Sequence, residues 1–232
     1  MDVSDARSGS EVGRRRRAGE HSRAAILREA ARLATVEGIS GLSIARLANA
    51  VGMSKSGLFS HFGSKEDLQL ATVETATAVF DAQVIDPASS ATPGLARLEA
   101  LADGYLRYVE SDTFPGGCFF ASVLTEVAMQ PGPVRERLVE FLTDWLARLE
   151  AAVRDAQADG AIDPDEDPGQ LAFEIEAALF LANAQYVVAR SYLPIERARR
   201  SIRRRLATEP ATRTRRSRRL GPGDAPVATA ND

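Results

Sequence analysis

The chain has few of the residues on which most catalytic and metal sites depend. Its 232 residues include one cysteine, Cys118, and two histidines, His21 and His61. A single thiol cannot form a disulfide within the chain, which is typical of proteins from a reducing compartment such as the cytoplasm. The sequence shows no metal-ligand spacing, phosphate-binding loop or nucleophile motif. An enzyme is therefore a poor second interpretation, and we expect neither a cofactor nor a metal.

Long apolar runs are also missing. No stretch of about 18 consecutive apolar residues occurs, so a membrane-spanning helix is not expected. The N-terminal segment contains Arg14–Arg17 but no apolar region after them, so it does not resemble a secretory signal. The fractions of apolar residues, 44%, and charged residues, 26%, are ordinary for a soluble globular protein. The composition predicts a cytoplasmic protein with a core of its own and no membrane partner.

Charge is strongly segregated along the chain although its net value is only −3. Residues 1–65 contain 11 Lys or Arg and 6 Asp or Glu, residues 66–189 contain 6 and 22, and residues 190–232 contain 12 and 4. A basic end on an acidic body is typical of a protein that contacts phosphate with one end only. A merely solvated charged surface is the alternative explanation.

Apolar residues recur at helical spacing along most of the chain, and no convincing strand or repeat is found. Proline and glycine clusters separate the helical stretches, with a loop predicted from Asp86 to Gly94. The fold class is therefore all-α. Four regions are predicted: a disordered basic arm at 1–19, a first helical domain at 20–80, a second helical domain at 81–206, and a disordered Arg-rich tail at 207–232.

The segment 42–65, LSIARLANAVGMSKSGLFSHFGSK, is the most informative part of the chain. Apolar residues stand at helical spacing on both sides of Gly52, at Leu47, Ala48, Val51, Leu58 and Phe62. Ser43 opens the first run and Ser54 opens the second. Two short helices joined by a glycine turn can place the second helix in the DNA major groove. The segment therefore predicts a DNA-binding module, and beside it the charge segregation favours a phosphate-contacting end.

The order of these residues resembles the TetR family of bacterial transcriptional regulators. The resemblance runs from about Ser22 to about Phe80, with a helix ending at Gly38, a serine before IARLA, and then GMSKSGLFSHFGSKEDL. It implies an N-terminal three-helix DNA-binding domain at 20–80, with the helix-turn-helix at about 43–62. It also implies a C-terminal helical ligand-binding and dimerisation domain at 81–206. A homodimeric repressor that leaves a palindromic operator when a small molecule binds is the expected function.

The DNA contacts expected from the resemblance and from residue chemistry lie on the two short helices. Ser43 can cap its helix and meet a phosphate, and Arg46 is a candidate phosphate contact or salt-bridge partner. Lys55 stands at a helix N-terminus, where it can reach guanine O6 and N7. Phe59 replaces the tyrosine usual in relatives, which removes a phosphate hydrogen bond of about 1 kcal/mol. The whole predicted set is Ser43, Arg46, Ser54, Lys55, Ser56, Gly57, Phe59, Ser60, His61 and Lys65.

Two long apolar stripes, at 134–153 and 171–189, are candidates for pairing with a second copy of the chain, or for use within one subunit. The ligand pocket is expected among the helices from Ala71 to Met129, closed by this pair. Asn183 and Gln185 are amides in an apolar helix, so either could bond a ligand. A hydrophobic or aromatic small molecule fits such a site. The candidate lining residues are Tyr105, Tyr108, Phe119, Phe120, Trp145, Phe180, Asn183 and Tyr186.

Two other functions stay open at this point. Cys118 follows Gly116 and Gly117 at a predicted helix start, where the pKa of a thiol can be lowered, so it is either a redox sensor or a buried apolar residue. The basic segments, Arg14–Arg17, Arg203–Arg205 and Arg213–Arg219, are either solvated or bind DNA without sequence preference. The second reading would make the chain an architectural DNA-binding protein without a ligand.

Overall fold

The computed structural model describes residues 22–127 and 131–207, and these residues form helices and no strand. The prediction of an all-α fold is confirmed. Met129, Arg14–Arg17, Arg213–Arg219 and both predicted disordered segments, apart from Ala207, lie outside the described residues. The helices are α1 (22–37), α2 (Ile44–Val51), α3 (Lys55–Phe62), α4 (Lys65–Phe80), α5 (Asp86–Ser89), α6 (Leu95–Glu110), α7 (Phe119–Val127), α8 (Pro133–Ala158), α9 (Pro168–Ala189) and α10 (Leu193–Leu206).

Helices α1 to α3 and the start of α4 enclose a small core of their own. Serine hydroxyls cap the short helices: Ser43 Oγ accepts from the Arg46 N–H at 3.2 Å, and Ser54 Oγ accepts from the Gly57 N–H at 3.1 Å. Gly52 ends α2 with φ +69°, a left-handed conformation that glycine adopts without strain. The small core is formed by Ile26, Leu27, Ala30, Leu33, Leu42, Leu47, Ala48, Leu58, Phe62 and Leu68.

Helix α4 connects this small core to a larger one. Leu68 belongs to the small core, whereas Val73, Ala76 and Phe80 belong to the large core. One rigid element therefore reaches from beneath α3 into the centre of the second helical group. The boundary at residue 80 stays a prediction, and the packing changes from one core to the other within α4.

The predicted loop at Asp86–Gly94 is partly wrong, because the helical path continues to Ser89. A π-helical turn, Asp81–Ile85, joins α4 to α5. Pro87 lacks an N–H, and its ring would clash with a carbonyl one turn earlier in a regular α-helix. The wider π turn changes the register just before Pro87, so the chain passes the proline without ending the helix.

The large core is built by α6 to α10 against α4. The apolar stripe of α8 faces inward, with Leu138, Phe141, Trp145, Leu149 and Val153 all buried. At least three of the six arginines of α10 pair with carboxylates of the same chain: Arg199 bonds Asp103 at 3.0 Å and Arg205 bonds Glu166 at 2.8 Å. Arg203 also approaches Asp103, at 3.5 Å. These α10 arginines therefore serve the fold in part, rather than being simply solvated.

Helix α9 is apolar on both faces. Its inner face is buried in the core, whereas four large apolar residues on its outer face, Phe173, Phe180, Leu181 and Val188, are between 37% and 87% exposed. By length and composition alone α9 could cross a membrane, and it is the one such helix in the described ranges. Counting consecutive apolar residues missed it because Glu174 and Glu176 interrupt the run. The core helix of a soluble protein passes the same test.

Candidate DNA-binding surface and ligand pocket

The side of α3 that faces away from the small core is polar and accessible. Leu58 and Phe62 are buried, whereas Lys55, Ser56 and Ser60 are exposed and Phe59 is 53% exposed. The Ser60 hydroxyl donates to the Gly57 carbonyl at 2.7 Å, which keeps it close to the helix. Because Ser56 and Ser60 are small and Lys55 is the one long charged side chain beside them, the backbone of α3 can come close to a binding partner. A major groove has the width to accept such a helix.

The other predicted DNA contacts lie around α3, and several are already engaged. Arg46 donates from Nε to both carboxylate oxygens of Glu37, at 3.0 and 3.1 Å, and the hydrogen bond and charge of Glu37 raise the pKa of Arg46. Lys65 Nζ donates to the Ser40 carbonyl at 2.6 Å. His61 is half-buried, with its ring centroid 6.1 Å from that of Phe62. Of the two roles predicted for Arg46, the salt bridge is the one present in the unbound chain.

The turn between α1 and α2 is held by a carboxylate from the second domain. Glu126 on α7 accepts the Ile39 N–H at Oε2 and the Ser40 N–H at Oε1, each at 2.8 Å. Gln69 on α4 donates to the Ile39 carbonyl at 2.7 Å. Gly38 makes room for this contact, because an added Cβ would lie 2.7 Å from Glu126 Oε2. Sequence reasoning missed Glu126, although it is the one charged residue in the apolar helix α7.

A second connection runs from α9 to α1 through the glycine turn before α7. The Cys118 N–H donates to Asn183 Oδ1 at 2.8 Å, and the Gly116 N–H donates to Thr35 Oγ1 on α1 at 3.2 Å. Gly117, between them, has φ +77°. Asn183 is thus a buried amide with a backbone partner in this turn, and Gln185 is exposed. The Asn183 oxygen is therefore already engaged by the backbone next to Phe119, one of the predicted pocket residues.

Five of the predicted pocket residues meet around Phe80 of α4. Ring centroids of Tyr105, Tyr108, Phe120 and Trp145 lie 5.3 to 6.2 Å from that of Phe80, and Phe119 packs on Phe120 at 5.3 Å. Phe80 and Phe141, 5.1 Å apart, complete this aromatic cluster and were missed because each fits an ordinary core stripe. Large aromatic faces in one place suit an apolar ligand.

Phe180 and Tyr186 lie outside the aromatic cluster. Phe180 is 37% exposed on the outer face of α9. Tyr186 is buried, and its hydroxyl donates to Asp112 Oδ1 at 3.3 Å. Helical spacing placed all three candidates on α9 in one set, but Asn183 and Tyr186 face the 112–118 loop region and Phe180 faces outward. The ligand pocket stays a prediction: five of its eight candidate residues share the aromatic cluster, and the three on α9 lie apart from it.

A cavity of about 180 Å³ opens beside the aromatic cluster, between α4 and α8. The rings of Phe80, Phe141 and Trp145 form part of its wall. The rest of the wall comes from Thr77, Asp81, Ile85, Arg137, Asp144 and Arg148. A larger and more open groove, of about 520 Å³, lies between α1 and α4.

Polar groups are rare in the aromatic cluster, and one of them lacks a conventional partner. The Tyr105 hydroxyl, in a side chain only 2% exposed, has no hydrogen-bond partner apart from the weakly polar Cys118 thiol beside it. A buried hydroxyl without a partner costs about 1–3 kcal/mol. Trp145 Nε1 donates to Glu176 Oε2 at 2.7 Å. Burial raises the pKa of Glu176 to about 7.

Cys118 does not have the properties of a reactive thiol. It is 2% exposed, and burial raises the pKa of its thiol to about 11. This is opposite to the lowering that a place at a helix start allows. The thiol is protonated at neutral pH, so its surroundings favour the role of a small buried residue.

Glu176→Gln is expected to remove a pH-dependent loss of stability. Because burial raises the pKa of Glu176 from 4.5 to about 7, the folded chain holds this proton more tightly than the unfolded chain does. The free energy of unfolding therefore falls as pH rises through this interval, by an amount on the order of 3 kcal/mol. Urea unfolding at about pH 5 and about pH 8 measures the fall.

The matched control is Glu174→Gln, two residues away on α9. Glu174 pairs with Gln170 and Arg205, which lower its pKa. This variant is therefore expected to show the same fall in the free energy of unfolding as the unaltered chain when the pH rises. An equal fall in Glu176→Gln and in the unaltered chain would show that Glu176 is not the group responsible.

Helices α1 to α3 form a three-helix unit in which α3 is exposed, and α4 joins this unit to a second helical domain. This arrangement defines a DNA-binding regulator of the helix-turn-helix class. The family model for bacterial regulatory proteins of the tetR family matches residues 26–72. The model for the tetracyclin repressor-like C-terminal domain matches residues 94–202. The chain belongs to the TetR family of transcriptional regulators, whose members are not enzymes.

Individual relatives agree with this assignment. The transcriptional regulator AcuR of Cereibacter sphaeroides is 29% identical over 141 residues, which cover 60% of this chain and 64% of that protein. A TetR regulator from Chloroflexus aurantiacus is 25% identical with a TM-score of 0.77, over 83% of this chain and 98% of its own. AibR, solved with isovaleryl coenzyme A and operator DNA, is 26% identical with a TM-score of 0.63, over 78% and 95%.

Proposed function

We propose that this TetR-family regulator is a repressor that binds a palindromic operator as a homodimer and leaves it when a small molecule binds. The exposed side of α3 is the observation that supports this most strongly. Lys55 and small side chains are accessible there, while Leu58 and Phe62 on the opposite side are buried and hold the helix in place. The AibR structure supports the combination of small-molecule binding and operator binding in one protein, since AibR was solved with both isovaleryl coenzyme A and operator DNA.

In this proposal α3 lies in the major groove and its neighbours contact phosphate. Lys55 reaches base edges near the N-terminus of α3, and Phe59 packs against the groove with its ring. The Ser43 hydroxyl donates a hydrogen bond to a phosphate, and its oxygen still accepts the bond that caps α2. Lys65 has two further donors beside the one given to Ser40. The proposed contact set is Ser43, Arg46, Ser54, Lys55, Ser56, Gly57, Phe59, Ser60, His61 and Lys65.

Lys55→Glu is expected to weaken binding to a sequence-selected duplex by roughly 100-fold at physiological salt, because it removes base contacts and adds repulsion in the groove. Arg107→Glu makes the same change of charge at an exposed position on α6 and is the matched control. Fluorescence anisotropy of a labelled duplex measures both affinities. Equal losses for the two variants would contradict a reading role for α3.

The outer face of α9 supports the homodimer. Phe173, Phe180, Leu181 and Val188 recur at i, i+7, i+8 and i+15, so they form one exposed stripe along the helix. An apolar stripe of this length on a soluble protein marks an interaction surface. A second copy of the same stripe covers it with two-fold symmetry, which places two α3 helices for two half-sites.

Helix α7 is suited to couple the ligand to DNA. Its first residues, Phe119 and Phe120, lie in the aromatic cluster, and Glu126, two turns later, holds the backbone of the α1–α2 turn. A ligand that displaces Phe120 moves α7, and the two hydrogen bonds of Glu126 transmit the movement to the reading domain. Ligand and operator then bind with mutually lower affinity, because each favours a different position of α7.

Glu126→Gln is expected to loosen the reading domain without unfolding the protein. The amide accepts at only one atom, so one of the two backbone N–H groups of Ile39 and Ser40 loses its acceptor. We expect amide exchange at these residues to become at least about tenfold faster, and affinity for a selected duplex to fall several-fold. Hydrogen–deuterium exchange and anisotropy measure the two effects.

The control for this prediction is Glu136→Gln, an exposed carboxylate in the first turn of α8. It is expected to leave exchange at residues 39 and 40 unchanged. Unaltered exchange in Glu126→Gln as well would rule out the role assigned to this carboxylate.

A further inference from the structure

Two polar groups beside the aromatic cluster have hydrogen-bonding capacity that their contacts do not use. The buried Tyr105 hydroxyl has no nitrogen or oxygen partner among the described residues. The half-buried Glu176 accepts a hydrogen bond at one carboxylate oxygen only, from the Trp145 N–H at 2.7 Å. The rings of Tyr105 and Trp145 stack with centroids 6.2 Å apart. Burial raises the pKa of Tyr105 and the charge of Glu176 adds to this effect, so the two polar groups lie near each other at the edge of the core.

We infer that this place binds a small organic amine, whose apolar body lies against the rings of Phe80 and Trp145. Its ammonium group lies between the Glu176 carboxylate and the Tyr105 hydroxyl. The inference rests on the proposed function, because it names the chemical class of the small molecule that acts on the repressor.

The chemistry of the surrounding groups selects a cation over a neutral or anionic ligand. An ammonium group has three donors, which suit a carboxylate oxygen and a hydroxyl oxygen at once. Aromatic faces attract cations, and tryptophan does so most strongly. Burial raises the pKa of Glu176 because the carboxylate lacks a countercharge, and a bound ammonium supplies one.

The charge of the domain favours the same ligand class. Residues 81–206 contain 20 Asp or Glu against 13 Lys or Arg, so the domain is moderately acidic and attracts cations more than anions. Asp81 and Asp144 lie in the wall of the cavity beside the aromatic cluster. Arg137, in the same wall, is already paired with Glu74. Arg148 is the remaining cation of that wall and weakens this attraction without reversing it.

The size of the cavity limits the ligand to a small amine. Its volume of about 180 Å³ lies below the range of roughly 300–1,000 Å³ that is typical of sites for drug-sized ligands. Glu176 does not line this cavity, and Trp145 lies between them with its ring on the cavity and its N–H on Glu176, so a ligand in the cavity reaches Glu176 when Trp145 shifts. Trp145 contacts Phe80, and Phe80 contacts Phe120 of α7. The shift therefore reaches the helix that holds the reading domain.

The test uses three compounds of similar shape and different charge: 2-phenylethylamine, 2-phenylethanol and 3-phenylpropionate. Trp145 is the only tryptophan of the chain, so its fluorescence reports on the site directly. We expect a saturable change with the amine, and an affinity at least about tenfold above those of the alcohol and the acid. Glu176→Gln should abolish this preference, whereas the control Glu174→Gln should keep it.

Tyr105→Phe gives a second readout that a purely structural role does not produce. Removing the hydroxyl should lower the affinity for 2-phenylethylamine about fivefold, and the urea midpoint should stay the same or rise, because the only partner of the lost group is the weakly polar Cys118 thiol. A fall in both affinity and stability would instead show that the hydroxyl is a packing element of the core.

Three results would overturn the inference: equal binding of amine and alcohol, a preference that survives Glu176→Gln, or no binding of any compound up to roughly 10 mM. Binding to a selected duplex is measured on the same samples. Normal duplex binding without amine binding overturns the ligand assignment alone. Absence of sequence-selective DNA binding overturns the proposed function itself.

Discussion

Leu181→Asp is expected to convert the protein to a monomer and to weaken operator binding by roughly 100-fold or more. Leu181 is 56% exposed at the middle of the apolar stripe on α9. A carboxylate there would be buried without a partner against the same residue of the second copy, and like charges would face each other across the two-fold axis. Sedimentation velocity gives the oligomeric state, and anisotropy with a selected duplex gives the affinity.

The matched control for the interface is Ala96→Asp, which adds the same charge on the exposed side of α6. It is expected to remain dimeric and to bind DNA normally. If Leu181→Asp stays dimeric while the fold is intact, the two-fold contact must use another face, and the apolar stripe would need a different partner.

Gly117→Ala is expected to destabilise the protein by about 3–5 kcal/mol. Gly117 has φ +77°, where a side chain is strained, and an added Cβ would lie 2.1 Å from Asn183 Oδ1. Relief of this clash requires Asn183 to move, which breaks its hydrogen bond to the Cys118 N–H and leaves buried polar groups unpaired. Urea unfolding measures the loss.

Gly160→Ala separates backbone strain from the clash in this prediction. Gly160 has nearly the same φ, +74°, but nothing lies within 4 Å of the added Cβ. Its loss is expected to be on the order of 1 kcal/mol, from the left-handed backbone alone. Similar losses in the two variants would mean that the contact between Gly117 and Asn183 contributes little to stability.

The sequence predicted helices α2 and α3 well because their signals are local. Ser43 and Ser54 cap the helices they precede, Gly52 ends α2, and Leu58 and Phe62 are buried under α3 as their spacing indicates. Capping, glycine turns and helical periodicity depend on neighbours within about one turn. The meeting of Tyr105, Tyr108, Phe120 and Trp145 in one cluster could be anticipated as well, because the chain has few aromatic residues and most of them lie in the second domain.

The contacts between domains could not be predicted, because they depend on which distant residues meet. Glu126 lies 87 residues from Ile39, and Asn183 lies 65 residues from Cys118. Phe180 fits an inward or an outward stripe of α9 equally well, since both faces of that helix are apolar. Pro87 does interrupt the regular α-helix, as proline is expected to do. The π turn just before it accommodates the ring, so the helical path continues to Ser89.

In the proposed function, α3 reads base pairs as part of a dimer. Selection of bound sequences from random duplex DNA, with purified protein at about 150 mM salt, tests it most directly. We predict a palindromic motif whose half-sites lie about 10 base pairs, or a multiple of that, apart. No motif, with binding that disappears as salt rises, would contradict the claim and favour a DNA-binding protein that recognises phosphate alone.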